Sequence, residues 1–186
     1  MRSPKIFLLT LVWAVLIVVV VHFLDFPGSV PNFTDVSEGG ALLDAVPAFT
    51  NDEVYARLTG YGEQGRQNYS FRNVTVDVLL PLSVLPFLFL LALRASTSLS
   101  RRRLLRMLLI SVPFVYVMFD LLENATVVRL IERYPGRLDL LASSLPYTTI
   151  IKRAASLLAI ALPLGILGFR TWRRSSPHNR PYATQL

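Results

Sequence analysis

RASTSLSRRRLLRMLLISVPFVYVMFDLLEN, residues 94–124, carries five arginines before its tenth apolar residue, runs on without charge, and closes on Asp120, Glu123 and Asn124. Its apolar part, Leu104–Leu122, is close to the ~20 residues a helix needs to cross a ~30 Å hydrocarbon core. Three further apolar runs flank it, at residues 6–24, 76–93 and 150–169. Together they divide the chain into alternating sides. One side holds Arg2, Lys5, Arg94, Arg101, Arg102, Arg103, Arg106, Arg170, Arg173, Arg174 and Arg180, and no acid. The other holds all twelve acidic residues and the remaining eight basic ones. Lys and Arg accumulate in short cytoplasmic segments. The expected fold is therefore all-α: an integral membrane four-helix bundle, both termini cytoplasmic, set in the plasma membrane rather than an internal one.

The first run resembles a signal peptide in position. It is longer than the ~7–15 residues of a signal h-region, however, and no A-x-A site follows, so it reads as an uncleaved span. The net charge of +7 would suggest nucleic acid in a soluble chain. Here the basic residues flank membrane spans, which points to orientation and anionic headgroups. No basic stripe with interleaved aromatics and no nucleic-acid module is present, so nucleic acid is not an expected partner. With no cysteine there is no thiolate site and no thiol nucleophile. No nucleophile elbow, phosphate loop or dinucleotide fingerprint occurs either.

Residues 26–74 form the one sizeable extramembrane segment. Phe26–Phe49 is broken by Pro27, Gly28, Pro31, Gly39, Gly40 and Pro47 and reads as irregular. Thr50-x-x-Glu53 has the spacing of a helix-starting capping box. From Arg66 the chain can run as one helix into the second span. The third helix can extend to Tyr134, where Pro135-Gly136 stops it. Leu138–Ser144 reads as a separate short helix ahead of Pro146. Residues 1–170 thus make one domain, and 171–186 a basic, disordered cytoplasmic tail ending in Thr-Gln-Leu, a loose PDZ-ligand pattern. Pro81, Pro86, Pro113 and Pro163 interrupt the spans, and the carbonyls they free need partners on neighbouring helices. Ala155-x-x-x-Ala159 and Ala161-x-x-x-Gly165 offer small-residue packing faces.

Ionisable groups inside a span are costly and ask for an explanation. Counted from the basic ends at ~1.5 Å per residue, His22 lies ~24 Å up the first helix and Asp77 ~26 Å up the second. Asp120 and Glu123 lie ~24 and ~29 Å up the third, and Lys152 ~27 Å up the fourth. Tyr116, Asp120, Glu123 and Asn124 share a helical stripe, as do Thr148, Lys152 and Ser156. Turned inward, these stripes form a polar layer near the outer surface. One reading is a structural ion network that fixes helix register. Another is a binding or catalytic pocket in which Asp77, Asp120 and Glu123 do acid–base work on a lipid-like substrate. A third is a proton- or ion-coupled path, against which the apolar remainder of each span speaks. Metal binding would have one histidine and two carboxylates to work with, and no H-E-x-x-H, so no metal or other cofactor is expected.

Tyr61-Gly62-x-x-Gly65-Arg66-x-x-Tyr69, Asp77 ahead of Pro81, and Asp120-x-x-Glu123-Asn124 together resemble a group of small, uncharacterised multi-pass membrane proteins of bacteria. The likeness covers residues 50–170. It implies a four-helix membrane bundle with an outer polar cluster, which Arg66 would join from above or leave to neutralise loop acids such as Glu63. It carries no activity. Four N-x-S/T sites occur, at Asn32, Asn68, Asn73 and Asn124. Asn32 and Asn68 are the candidates for glycosylation, since the other two sit at or in the membrane. The expected role is non-enzymatic: a scaffold, an accessory subunit, or a binder of lipid or small molecules. Membrane lipids, another membrane protein or a second copy of the chain are the expected partners, with a membrane enzyme and a transporter component as alternatives.

Overall fold

The computed structural model describes residues 3–99 and 102–175. α1 (Pro4–Phe23) starts at Ser3, whose hydroxyl accepts the Lys5 backbone N–H, with Pro4 at the first helical position. It is apolar all round. Of its side chains only Ala14 and Val21 are buried, while Leu9 and Trp13 stand 68% and 52% exposed. A helix of that character needs an apolar solvent around it. After α1 the stretch 26–49 is largely irregular, as the prolines and glycines suggested, with one short helix inside it. Ser29 caps a short α2 (Val30–Val36) by accepting the Asn32 N–H, and Pro31 falls in its first turn, where a missing donor costs nothing.

α3 (Asn51–Gly60) begins at Thr50, whose hydroxyl accepts the Glu53 N–H at 3.2 Å. The Glu53 carboxylate reaches back to the N–H of Phe49, one residue beyond the usual target of a capping box. Gly62, at φ +65°, turns the chain from α3 into α4 (Gly62–Val74), a conformation that favours glycine. α4 does not run unbroken into the second span. Thr75, at φ −120° and ψ −81°, separates it from α5 (Val76–Ser96), which is followed by one 3₁₀ turn, Thr97–Leu99.

α6 (Arg103–Arg133) is a single 31-residue helix ending before Pro135-Gly136. At ~1.5 Å per residue it is ~46 Å long, about half again the hydrocarbon core. α7 (Asp139–Ser175) is longer still and corrects two expectations. Residues 139–144 are its first turns rather than a separate helix. Pro146 is buried inside it and forgoes the backbone bond to the Ala142 carbonyl without ending the helix. The helix also runs into the segment expected to be disordered, as far as Ser175. Residues 176–186, with His178 and the terminal Thr-Gln-Leu, lie outside the described residues.

Among the described residues, four helical stretches are long and apolar enough to cross a membrane: α1, α4–α5, α6 and α7. α5, α6 and α7 pack against one another, and α1 lies along α5 and touches α2. Ala155 and Ala159 are buried in this packing, whereas Ala161 and Gly165 face outward and contribute no close contact. At one end, here called the acidic end, α6 and α7 project beyond the apolar stretch and meet the 26–61 segment. Phe33, Leu42, Leu43, Val54, Tyr55, Leu58, Tyr61 and Tyr69 bury themselves there against Val127 and Leu130 of α6 and Ala142 and Leu145 of α7. Phe33, Tyr61 and Tyr69 form an aromatic triangle with ring centroids 5.0–5.7 Å apart, within the range of favourable edge-to-face packing. The segment is a folded cap over the bundle. At the other, basic end, the arginines of α5, α6 and α7 gather near the start of α1.

Candidate functional site

Directly beneath the cap core, three carboxylates converge on one ammonium. Lys152 of α7 forms an ion pair with Glu123 of α6, stands 3.3 Å from Asp120 and 3.8 Å from Asp44. Asp120 and Glu123, three apart on α6, present both carboxylates to α7 on one face. Thr149 and Lys152, also three apart, answer from α7: the Thr149 hydroxyl donates to Glu123. Asp44 comes from the cap. Tyr69 holds it in place, its hydroxyl accepting the Leu43 N–H at 3.1 Å and donating to the Asp44 carboxylate at 3.4 Å. Arg153 donates to the backbone carbonyls of Asp44 and Ala45.

A second pair lies beside the first. Arg72, the last arginine of α4, donates to the Asp77 carboxylate at 2.7 Å and to the Gly28 carbonyl at 2.9 Å, and is itself 2% exposed. It thereby bridges the Thr75 break and ties the α1–α2 turn to α5. Pro81 has no N–H to give to the Asp77 carbonyl four residues earlier, which leaves that buried acceptor free. The Asn124 side chain of α6 supplies the missing donor at 3.0 Å. The demand for interhelical partners created by span prolines is met here by a named residue.

Of the residues expected in the layer, Asp77, Asp120, Glu123, Asn124 and Lys152 are brought together. Tyr116 is partly buried one turn below Asp120, within electrostatic reach of it and of Lys152. His22 is a correction. It is exposed and bonded to the Val18 carbonyl of its own helix at 2.9 Å, and α1 packs against α5 and α2, so it does not face Lys152. Arg66 is a second correction. It neither joins the layer nor pairs with Glu63, whose carboxylate accepts from Gln67; its guanidinium donates to the Leu58 carbonyl and stacks 4.3 Å over the Tyr134 ring. Tyr61 and Tyr69 are cap-core residues. The Tyr61 hydroxyl donates to the Ala41 carbonyl at 2.6 Å, and burial raises its ionisation range, keeping it a neutral donor. Gly65 allows the close approach beneath them, since an added Cβ would stand 3.0 Å from the Tyr61 Cβ. Asn68 donates to Asn32 at 2.6 Å, so each candidate glycan acceptor is engaged by the other. Asn73 is buried and donates to the Tyr69 carbonyl.

Three contributors escaped the sequence: Asp44, Arg72 and Thr149. Asp44 follows Leu42 and Leu43, both buried, and that Leu-Leu-Asp step was the available signal.

The site is closed on the helix side and partly open at the cap: side-chain exposure is 1% for Glu123, 11% for Asp120, 12% for Lys152 and 26% for Asp44. Among the described residues no group of three His, Asp or Glu is arranged to hold a metal ion. A neighbouring crevice of about 390 Å³ is lined by Asn73, Asn124, Val128 and Arg129, among others, but by none of the three carboxylates around Lys152. Removing one partner of such a buried set typically costs about 3–5 kcal/mol, because a charge is stranded, whereas removing both can be neutral. The chemistry of the arrangement is that of a clasp joining cap, α6 and α7. Comparison with protein-family models, with curated proteins and with solved structures gave no match to this chain.

Proposed function

We propose that this chain is a non-enzymatic integral membrane protein, a small scaffold, accessory or lipid-binding component of the plasma membrane. Both termini lie in the cytoplasm and the cap on the opposite face. One observation carries the reading: the carboxylates that acid–base chemistry would require are already paired, Glu123, Asp120 and Asp44 with Lys152, and Asp77 with Arg72. The arginines gathered at one end support that orientation. Kinship with the small multi-pass bacterial membrane proteins is part of the proposal. The residues that carry that likeness, Tyr61, Gly65, Arg66, Tyr69, Asp77, Pro81 and Asp120–Asn124, are those that hold the cap together and bind it to the helices.

A membrane enzyme using Asp77, Asp120 and Glu123 is the second reading, favoured by the imbalance of three carboxylates around one ammonium. A transporter draws less support, because Leu88, Leu91, Ala92 and Leu109 fill the interior between the layer and the basic end.

Thermal unfolding of Asp120→Asn and Lys152→Met in detergent, singly and together, separates the first two. For a structural clasp, Lys152→Met costs about 3–5 kcal/mol and the double variant recovers part of it. A neutral or stabilising Asp120→Asn would instead mark a strained functional carboxylate. The chain has no cysteine, so single cysteines report topology cleanly. A membrane-impermeant maleimide applied to intact cells is expected to label Ala56→Cys in the cap and to spare Ser98→Cys at the basic end. The reverse pattern would invert the proposed orientation.

A further inference from the structure

The basic end contains a cleft of about 760 Å³ to which all four spanning stretches contribute. Its floor and walls include Phe7 of α1, Leu93 of α5 and Leu167 of α7, and its rim carries Arg94, Arg106 and Arg170. Two of these guanidiniums are positioned. Arg94 lies 3.8 Å over the Phe7 ring, and Arg170 donates to the Thr97 hydroxyl at 3.3 Å. Neither contact neutralises a charge.

No carboxylate side chain is at hand to do so. Every acid of the chain falls between Asp25 and Asp139, and the acid of α5, Asp77, is ~26 Å of helix away from Arg94. All ion pairs among the described residues belong to the acidic end. Three guanidiniums at the mouth of an apolar cleft, where the spans reach their ends, call for an anion with an apolar body. Guanidinium is matched to phosphate oxygens by its fork of donors. Its stacking over Phe7 leaves the edge N–H groups free to donate. The volume is that of a ligand pocket rather than of an ion site.

We propose that this cleft holds the phosphate headgroup of an anionic phospholipid, with the first methylenes of its chains against Phe7, Leu93 and Leu167. The inference rests on the chain crossing a membrane and is independent of the clasp at the acidic end. Resistance to carbonate extraction tests the membrane reading by itself, before any lipid is added.

The full-length protein in a neutral detergent is titrated with phosphatidylglycerol, phosphatidylcholine and inorganic phosphate, and bound species are counted by native mass spectrometry. Phosphatidylglycerol is expected to bind at least about tenfold more tightly than phosphatidylcholine, a difference of roughly 1.4 kcal/mol. Arg94→Gln with Arg170→Gln should abolish that preference, while Arg129→Gln at the acidic end leaves it intact. A second measurement needs no arginine variant. Trp172 sits two residues past Arg170, and brominated phosphatidylglycerol should quench its fluorescence more than brominated phosphatidylcholine, an excess lost in Trp172→Phe. Equal binding of the two lipids, an undiminished preference in the double variant, or equal quenching would overturn the proposal. Displacement of the lipid by inorganic phosphate at the same concentration would also overturn it, in favour of a free-phosphate site.

Discussion

The two ends of the same bundle solve opposite problems. At the acidic end, charges are drawn inward, matched and covered: Lys152 meets three carboxylates, Arg72 meets Asp77, and an aromatic core sits on top. At the basic end, charges of one sign stand around an open cleft with no acidic side chain among the described residues to neutralise them. A buried ion pair contributes geometry more than stability, since desolvation offsets most of its attraction. An unmatched set at a membrane boundary contributes attraction and little rigidity. The acidic end is therefore held as a unit in one geometry, and the basic end, on the proposal above, is left open to an anionic ligand.

Substitutions at the two ends should differ accordingly. The largest effect after Lys152→Met is expected from Arg72→Met, which strands Asp77 and frees the Gly28 carbonyl. Thermal or denaturant unfolding in detergent should show a loss of about 3–5 kcal/mol, and Arg72→Met with Asp77→Leu should recover much of it. If the double variant is as unstable as the single, Arg72 acts mainly through Gly28. Next comes Tyr69→Phe, which leaves the buried Leu43 N–H without its acceptor. A loss of about 1–3 kcal/mol is expected, with faster amide exchange confined to residues 41–46 of the cap. Arg170→Gln should change stability by no more than about 0.5 kcal/mol, as for a surface charge. A large loss there would erase the contrast between the ends. His22→Ala is expected to fall within the same ~0.5 kcal/mol, and a larger cost would return His22 to the layer.

Much of this was legible in residue order. Apolar run length set the four helices, Pro135-Gly136 the end of α6, and Thr50 with Glu53 the start of α3. The stripe Asp120-x-x-Glu123-Asn124 placed half of the clasp. What escaped has physical reasons. α1 is apolar all round, so no face of it is marked as inward and the direction of His22 was undetermined. Arg72 and Asp77 are five apart, which an unbroken helix would turn away from each other; the bend at Thr75 brings them together, and neither glycine nor proline announces it. Asp44 reaches Lys152 only through the closed cap, a contact between residues far apart in the chain. Pro146 looked like a boundary, yet the single backbone bond it forgoes does not end the helix.

The clasp also constrains the order in which the molecule can be made. Asp44, Asp120 and Glu123 are all translated before Lys152, the one cation that meets all three. During synthesis the third span reaches the bilayer carrying two carboxylates with no counter-charge. The cap likewise cannot close, because Ala142 and Leu145 of its core have not emerged. Arrival of the fourth span supplies both at once. A chain that stops short of Lys152 therefore lacks the cation that Asp44, Asp120 and Glu123 share. The first half of the last helix thus carries every α7 residue named here as meeting the first loop and its acids.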